Sequence, residues 1–146
     1  YEALVRAFWL AFAAPDDSVA TWAFDVSEDG FEKAGKSPAA AGMLSELDGS
    51  EAPKPAVEQL RHFRETNWKP LCSFVHGGVH ALHRHDGGYA SKLVAQLLKA
   101  SNGLSIMDGN LLVILSGDPS QKWCISAILR EFEDCVTLYQ DGPAAD

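Results

Sequence analysis

The run Ala3–Ala14 (ALVRAFWLAFAA) is apolar at every position but Arg6. A helix that is apolar all round must be covered all round, so this run sets the centre of whatever the chain folds into. It is too short to span a bilayer, which takes about 20 residues. Ala11-Phe-Ala13 loosely resembles a signal-cleavage site, but Glu2 precedes the run and no basic leader does. The run therefore reads as a core helix rather than a targeting segment. Tyr1 already stands inside a helical pattern, and the expectation is that the native N-terminus lies upstream.

Helical period dominates the rest. Pro15-Asp16-Asp17-Ser18 supplies capping residues for a second helix, about 18–26. Ser27–Lys36 (SEDGFEKAGK) is polar and Gly-bearing and reads as a loop with one helical turn. Ser37-Pro38 reads as cap and first position of a helix to about Leu47, and Pro55 opens another to about Glu65. Pro70 disfavours helix in the residue before it, which predicts a break at Thr66–Lys69 and a new helix to about Arg84. A helix follows from Tyr89 to Asn102, with Gly103 and Gly109 positioned to bend or interrupt the run through Leu115. Leu111–Leu115 (LLVIL) has no partner run for a sheet and reads as helix. Ser120–Leu138 is the last helix. The expected fold is all-α, an antiparallel helical bundle forming one domain over 1–146.

Net charge is −8, which opposes general nucleic-acid binding. The charge is uneven, however. Residues 61–92 hold Arg61, Arg64, Lys69, Arg84 and Lys92 against Glu65 and Asp86 alone. All five histidines fall in the same stretch: His62, His76, His80, His83 and His85. A basic, His-rich segment in an acidic chain is the place for an anionic ligand, with His80, Arg64, Lys69 and Arg84 as ligand-binding candidates. Three cysteines without a CxxC, namely Cys72, Cys124 and Cys135, oppose a disulfide framework and suit a reducing cytoplasm.

On a helix, Ser73, His76, His80 and His83 fall within an arc of about 80°. Phe74, Val75, Val79 and Leu82 take the opposite side. His76 and His80, at i and i+4, have the spacing of two metal ligands on one helix, and this is the alternative metal reading. No HExxH is present and no third ligand stands at ordinary spacing, so no cofactor or metal is expected. On the first helix Glu2 and Arg6 are the only charges and stand at i and i+4, where they can pair. The expected polar site joins His76 and Ser73 to Glu2 and Arg6, because buried polar groups are least costly when they face each other.

EALVRAFWL on the first helix, together with the W-x4-S-x2-H pattern of Trp68, Ser73 and His76 followed by Gly77, resembles all-helical bacterial proteins of the HEPN superfamily. The resemblance implies a helical bundle, often a homodimer. It also implies RNA or nucleotide as ligand and a setting in toxin–antitoxin or defence systems, with a cognate toxin or antitoxin as partner. The ribonuclease members carry a short Arg-to-His spacing that this chain lacks, so His76 alone carries over, with Ser73 beside it. The first expectation is therefore a binding module. The alternative is a metal-independent endoribonuclease in which His76 acts as general base and Arg6 stabilises phosphorane charge.

Overall fold

The computed structural model describes residues 1–76 and 88–137, and of residue 74 the backbone alone. Every regular element among the described residues is helical, as the period predicts. The chain divides into two compact units, Tyr1–Leu60 and Arg61–Asp146.

The first unit opens with α1 (Glu2–Phe12). It presents Leu4, Val5, Phe8 and Trp9 to the core, and its main packing partner is α4 (Ala40–Leu47), which buries Met43, Leu44 and Leu47. Trp9 is 2% exposed, and its indole N–H donates to Glu46 Oε2 at 2.6 Å. A buried donor is thus satisfied by a carboxylate that itself stays at the surface, the stronger kind of hydrogen bond.

Between them lie α2 (Asp16–Phe24) and α3 (Glu28–Gly35), packed on each other. Pro15, not a hydroxyl or carboxylate, stands at the cap of α2, so Asp16 and Asp17 fall in the first turn, where the helix dipole favours them. The segment expected as a loop is the two-turn helix α3. It has almost no apolar face, but it is stabilised at both ends and along its side. Ser27 Oγ accepts from the Gly30 amide at 3.1 Å, Glu28 and Asp29 open the helix and Lys33 closes it. Lys33 pairs with Asp29 at 2.6 Å, and Lys36 with Glu32 at 2.7 Å. Gly30 is required by close approach: a Cβ there would meet the Asp25 carbonyl oxygen at 2.7 Å. Ser37 does not cap α4, which starts three residues later behind Ala39. Its hydroxyl instead accepts the Trp22 indole N–H at 3.0 Å.

α5 (Lys54–Phe63) follows, with Val57 and Leu60 buried. The break expected at 66–69 is a π-helical turn, Arg64–Trp68, which runs directly into α6 (Lys69–Val75). Pro70 cannot donate to the turn before it and its ring crowds that turn's carbonyl; one wide turn relieves both problems without ending the helix. α6 ends at Val75, with His76 as its terminal residue at φ −98°, ψ 17°. Of the helix predicted to reach Arg84, the remainder lies outside the described residues.

In the second unit α7 (Ser91–Ser116) is a single helix of 26 residues, ended by Gly117 in the left-handed conformation at φ 66°. Gly103 and Gly109 do not interrupt it. A Cβ on Gly103 would meet the Thr137 carbonyl oxygen at 2.7 Å, and one on Gly109 would meet Ile125 Cδ1 at 2.8 Å. These glycines admit neighbours rather than bend the helix. Ile125 belongs to α8 (Lys122–Glu131), which packs on α7. The last helix is shorter than predicted, since a 3-10 turn over Glu133–Cys135 follows it. Among the described residues no helix is long and apolar enough to cross a membrane.

The Trp9–Glu46 bond gives a direct test. Glu46→Ala leaves a buried N–H without an acceptor and is expected to cost about 1–3 kcal/mol in urea unfolding. In a Trp9→Phe background the same change should be nearly neutral, because no donor remains to be orphaned.

Candidate functional site

α1 and α2 bring together the side chains that form the best-defined site of the first unit. The Arg6 guanidinium carbon lies 4.5 Å from the centre of the Trp22 ring, a cation–π contact. Arg6 Nε is buried and has no hydrogen-bond partner. The i,i+4 ion pair expected with Glu2 is not formed: Glu2 is exposed, and the guanidinium turns to the aromatic face instead. A delocalised, weakly hydrated guanidinium suits that face, whereas a carboxylate in water offers little to an exposed pair.

Trp22 also walls a small cleft of about 130 Å³ between α2 and α3, lined by Asp17, Ser18, Thr21, Trp22, Lys33, Ala34 and Ser37. Ser37 accepts from Trp22, so its own proton is left to donate. The Lys33 ammonium is taken by Asp29, whose hydrogen bond and charge push the lysine pKa up. Thr21 is turned back onto the Asp17 carbonyl at 2.9 Å. At one end of α3, Asp25 accepts from the hydroxyl and the amide of Ser27, and these two bonds hold its carboxyl below the usual range. The cleft itself therefore offers the Ser18 and Ser37 hydroxyls, the Trp22 side chain and the Asp17 carboxylate, while the Arg6 guanidinium lies against the Trp22 ring and is not one of the lining residues. A cleft of this size is well below the roughly 300–1,000 Å³ of a pocket that encloses a small molecule. It can take a single phosphate or sugar edge of something that lies across the surface.

The other predicted residues belong to the second unit. Lys69 and Ser73, at i and i+4, share one face of α6, and His76 caps its C-terminal end. Lys69 and His76 are exposed and Ser73 is half-buried. Arg64 is exposed on the π-helical turn. His80 and Arg84 lie outside the described residues, and with His80 goes half of the alternative metal pair. Among the described residues no group of three His, Cys, Asp or Glu side chains is placed to hold a metal ion. Cys72 and Cys124 are half-buried thiols and Cys135 is an exposed one.

Sequence reasoning missed Trp22, Ser37 and Glu46. Trp22 and Ser37 had a signal: a Trp in a helix that lacks an apolar face needs an acceptor for its N–H, and Ser37 stands in the next connection.

One family model matches residues 1–138, described as a family of unknown function (DUF6988). The chain belongs to that family. No curated protein and no solved structure matches it.

The Asp25–Ser27 bonds set a pH dependence. A depressed carboxyl stabilises the folded state above the unfolded chain's carboxylate range, and that contribution is lost as pH falls through the folded value. Ser27→Ala removes the cap of α3, which should cost about 0.5–2 kcal/mol, and it also removes the hydroxyl bond to Asp25. Carbon-detected NMR titration should show the Asp25 carboxyl moving up toward its ordinary value.

Proposed function

We propose that this chain is a cytoplasmic, HEPN-like antiparallel bundle that binds RNA rather than catalysing a reaction, with a phosphodiester group resting on Arg6 beside Trp22. The observation that carries the reading is Arg6. Its guanidinium is half-buried, has no carboxylate partner and keeps one N–H hidden without an acceptor. With no carboxylate to neutralise it, the guanidinium is open to a phosphate oxygen reaching its accessible edge, which would supply the missing counter-charge. The small cleft favours a phosphate of a polymer over an enclosed mononucleotide. The net charge of −8 makes the contact local, so affinity should come from a few groups and not from a broad basic surface. A bacterial toxin–antitoxin or defence setting, with a cognate protein partner, is the context this reading implies.

Titration of a short single-stranded RNA into the protein tests it. Arg6→Gln should weaken binding about tenfold and lower the slope of log affinity against log salt by about one. Unchanged affinity and slope would exclude Arg6 as the phosphate contact. The ribonuclease alternative rests on exposed His76 at the C-terminal end of the helix that carries Lys69 and Ser73. The binding reading expects RNA incubated with the protein and a chelator to stay intact. Cleavage that His76→Ala abolishes would replace binding by catalysis.

A further inference from the structure

Charge decides what the cleft between α2 and α3 can take. Its walls include Asp17, Ser18, Thr21, Trp22, Lys33 and Ser37. The lysine is already engaged, since Lys33 pairs with Asp29 at 2.6 Å. The Thr21 hydroxyl is turned to the Asp17 carbonyl at 2.9 Å. The Asp17 carboxylate has no partner among the described side chains, so it is the charge that a ligand in the cleft would meet. A phosphate there would face that carboxylate without a free cation to offset it, and like charges in contact repel. What remains suits a neutral group. Ionised Asp17 only accepts. The Ser18 hydroxyl has no partner among the described residues. The Ser37 hydroxyl, having accepted the Trp22 indole N–H at 3.0 Å, keeps its proton to donate.

A carboxylate that accepts, beside hydroxyls that donate, fits a ligand whose own hydroxyls do both. Adjacent hydroxyls on a sugar are such groups: one donates to the carboxylate while its oxygen, or its neighbour's, accepts from serine. At about 130 Å³ the space admits one sugar ring and not a sugar together with its base. We propose that this cleft is a ribose subsite, in which Asp17 accepts the 2′-hydroxyl while Ser18 and Ser37 donate to the sugar oxygens. Trp22 joins this subsite to the phosphate contact: the Arg6 guanidinium lies over its ring at 4.5 Å, and the same side chain lines the cleft. The charges are divided accordingly, with the anionic part of the strand on the guanidinium and the neutral part beside the carboxylate. The 2′-hydroxyl is the group that DNA lacks, so Asp17 is a specificity-determining residue for ribose over deoxyribose. The inference rests on the RNA-binding reading and adds to it the residues that read the sugar.

Fluorescence-anisotropy titration of the full chain with two labelled strands tests it. One strand is an oligouridylate of about 12 nucleotides and the other is its 2′-deoxy counterpart, so bases and phosphates are the same and only the sugar differs. The expected preference for the ribose strand is about tenfold, the effect of one hydrogen bond to a charged acceptor. Asp17→Ala should reduce that preference to about twofold or less. Removing a negative charge raises the affinity of both strands alike, so the ratio is the readout and neither affinity alone is. Asp17 is exposed, and the variant should keep the circular dichroism of the unsubstituted chain. Arg6→Gln should weaken both strands and keep the ratio. Equal binding of the two strands by the unsubstituted chain, or a preference that survives Asp17→Ala, would overturn the ribose subsite and leave the Arg6 contact standing. Binding of neither strand would overturn the RNA-binding reading and the subsite with it.

Discussion

The first unit depends on the bond between the Trp9 indole and Glu46. Trp9 is among the largest buried side chains, and a helix as apolar as α1 can be covered only if that one polar group finds an acceptor. Glu46 is the single acidic residue of α4 and supplies it at 2.6 Å, which fixes which turn of α4 lies against which turn of α1. Apolar contacts among Leu4, Val5, Phe8, Met43, Leu44 and Leu47 give most of the burial but little register, since such surfaces slide at small cost. A hydrogen bond to a buried donor does not slide.

Arg6 shows the opposite arrangement on the same helix. Trp9 is buried and satisfied; Arg6 is half-buried and keeps an unmatched N–H over the face of Trp22. A cation–π contact of about 0.5–2 kcal/mol holds the guanidinium in place without using its hydrogen bonds. The outcome is a cation positioned on the Trp22 ring, and the same Trp22 donates to the Ser37 hydroxyl and lines a cleft the size of one phosphate or sugar edge. Proteins rarely leave buried polar groups unmatched, and the exceptions ask for an explanation. The proposed reading answers this one with a ligand anion on the guanidinium.

The helical class was legible because the apolar spacing of α1, α5 and the end of α7 is strong. Boundaries failed where the evidence is not periodic. α3 was hidden because its stability comes from Ser27, Asp29, Lys33 and Lys36, which are caps and pairs rather than an apolar stripe. Pro70 reads as a stop in a propensity argument, but a π-helical turn absorbs it. Gly103 and Gly109 read as breaks, although their real constraint is the closeness of Thr137 and Ile125, which no local pattern reveals. At the site, Arg6 was legible as the one charge in an apolar run. Its partner was misread because i,i+4 spacing points to Glu2, while the Trp22 ring arrives from another helix. Ser37 was misassigned for the same reason: its hydroxyl serves a side chain distant in sequence, not the backbone beside it.

The central claim is that Arg6 and Trp22 form the ligand contact while Trp9 holds the fold. The indole N–H signals of a ¹H–¹⁵N NMR spectrum separate these roles in one experiment, because each of the four tryptophans gives its own peak. On addition of single-stranded RNA, the Trp22 indole should shift in a saturable way, since the ligand settles beside its ring and the Ser37 hydroxyl it donates to. The Trp9 indole, locked to Glu46 in the core, should not move. A titration in which RNA binds but the Trp22 peak stays still, or in which Trp9 shifts as far as Trp22, would contradict the account.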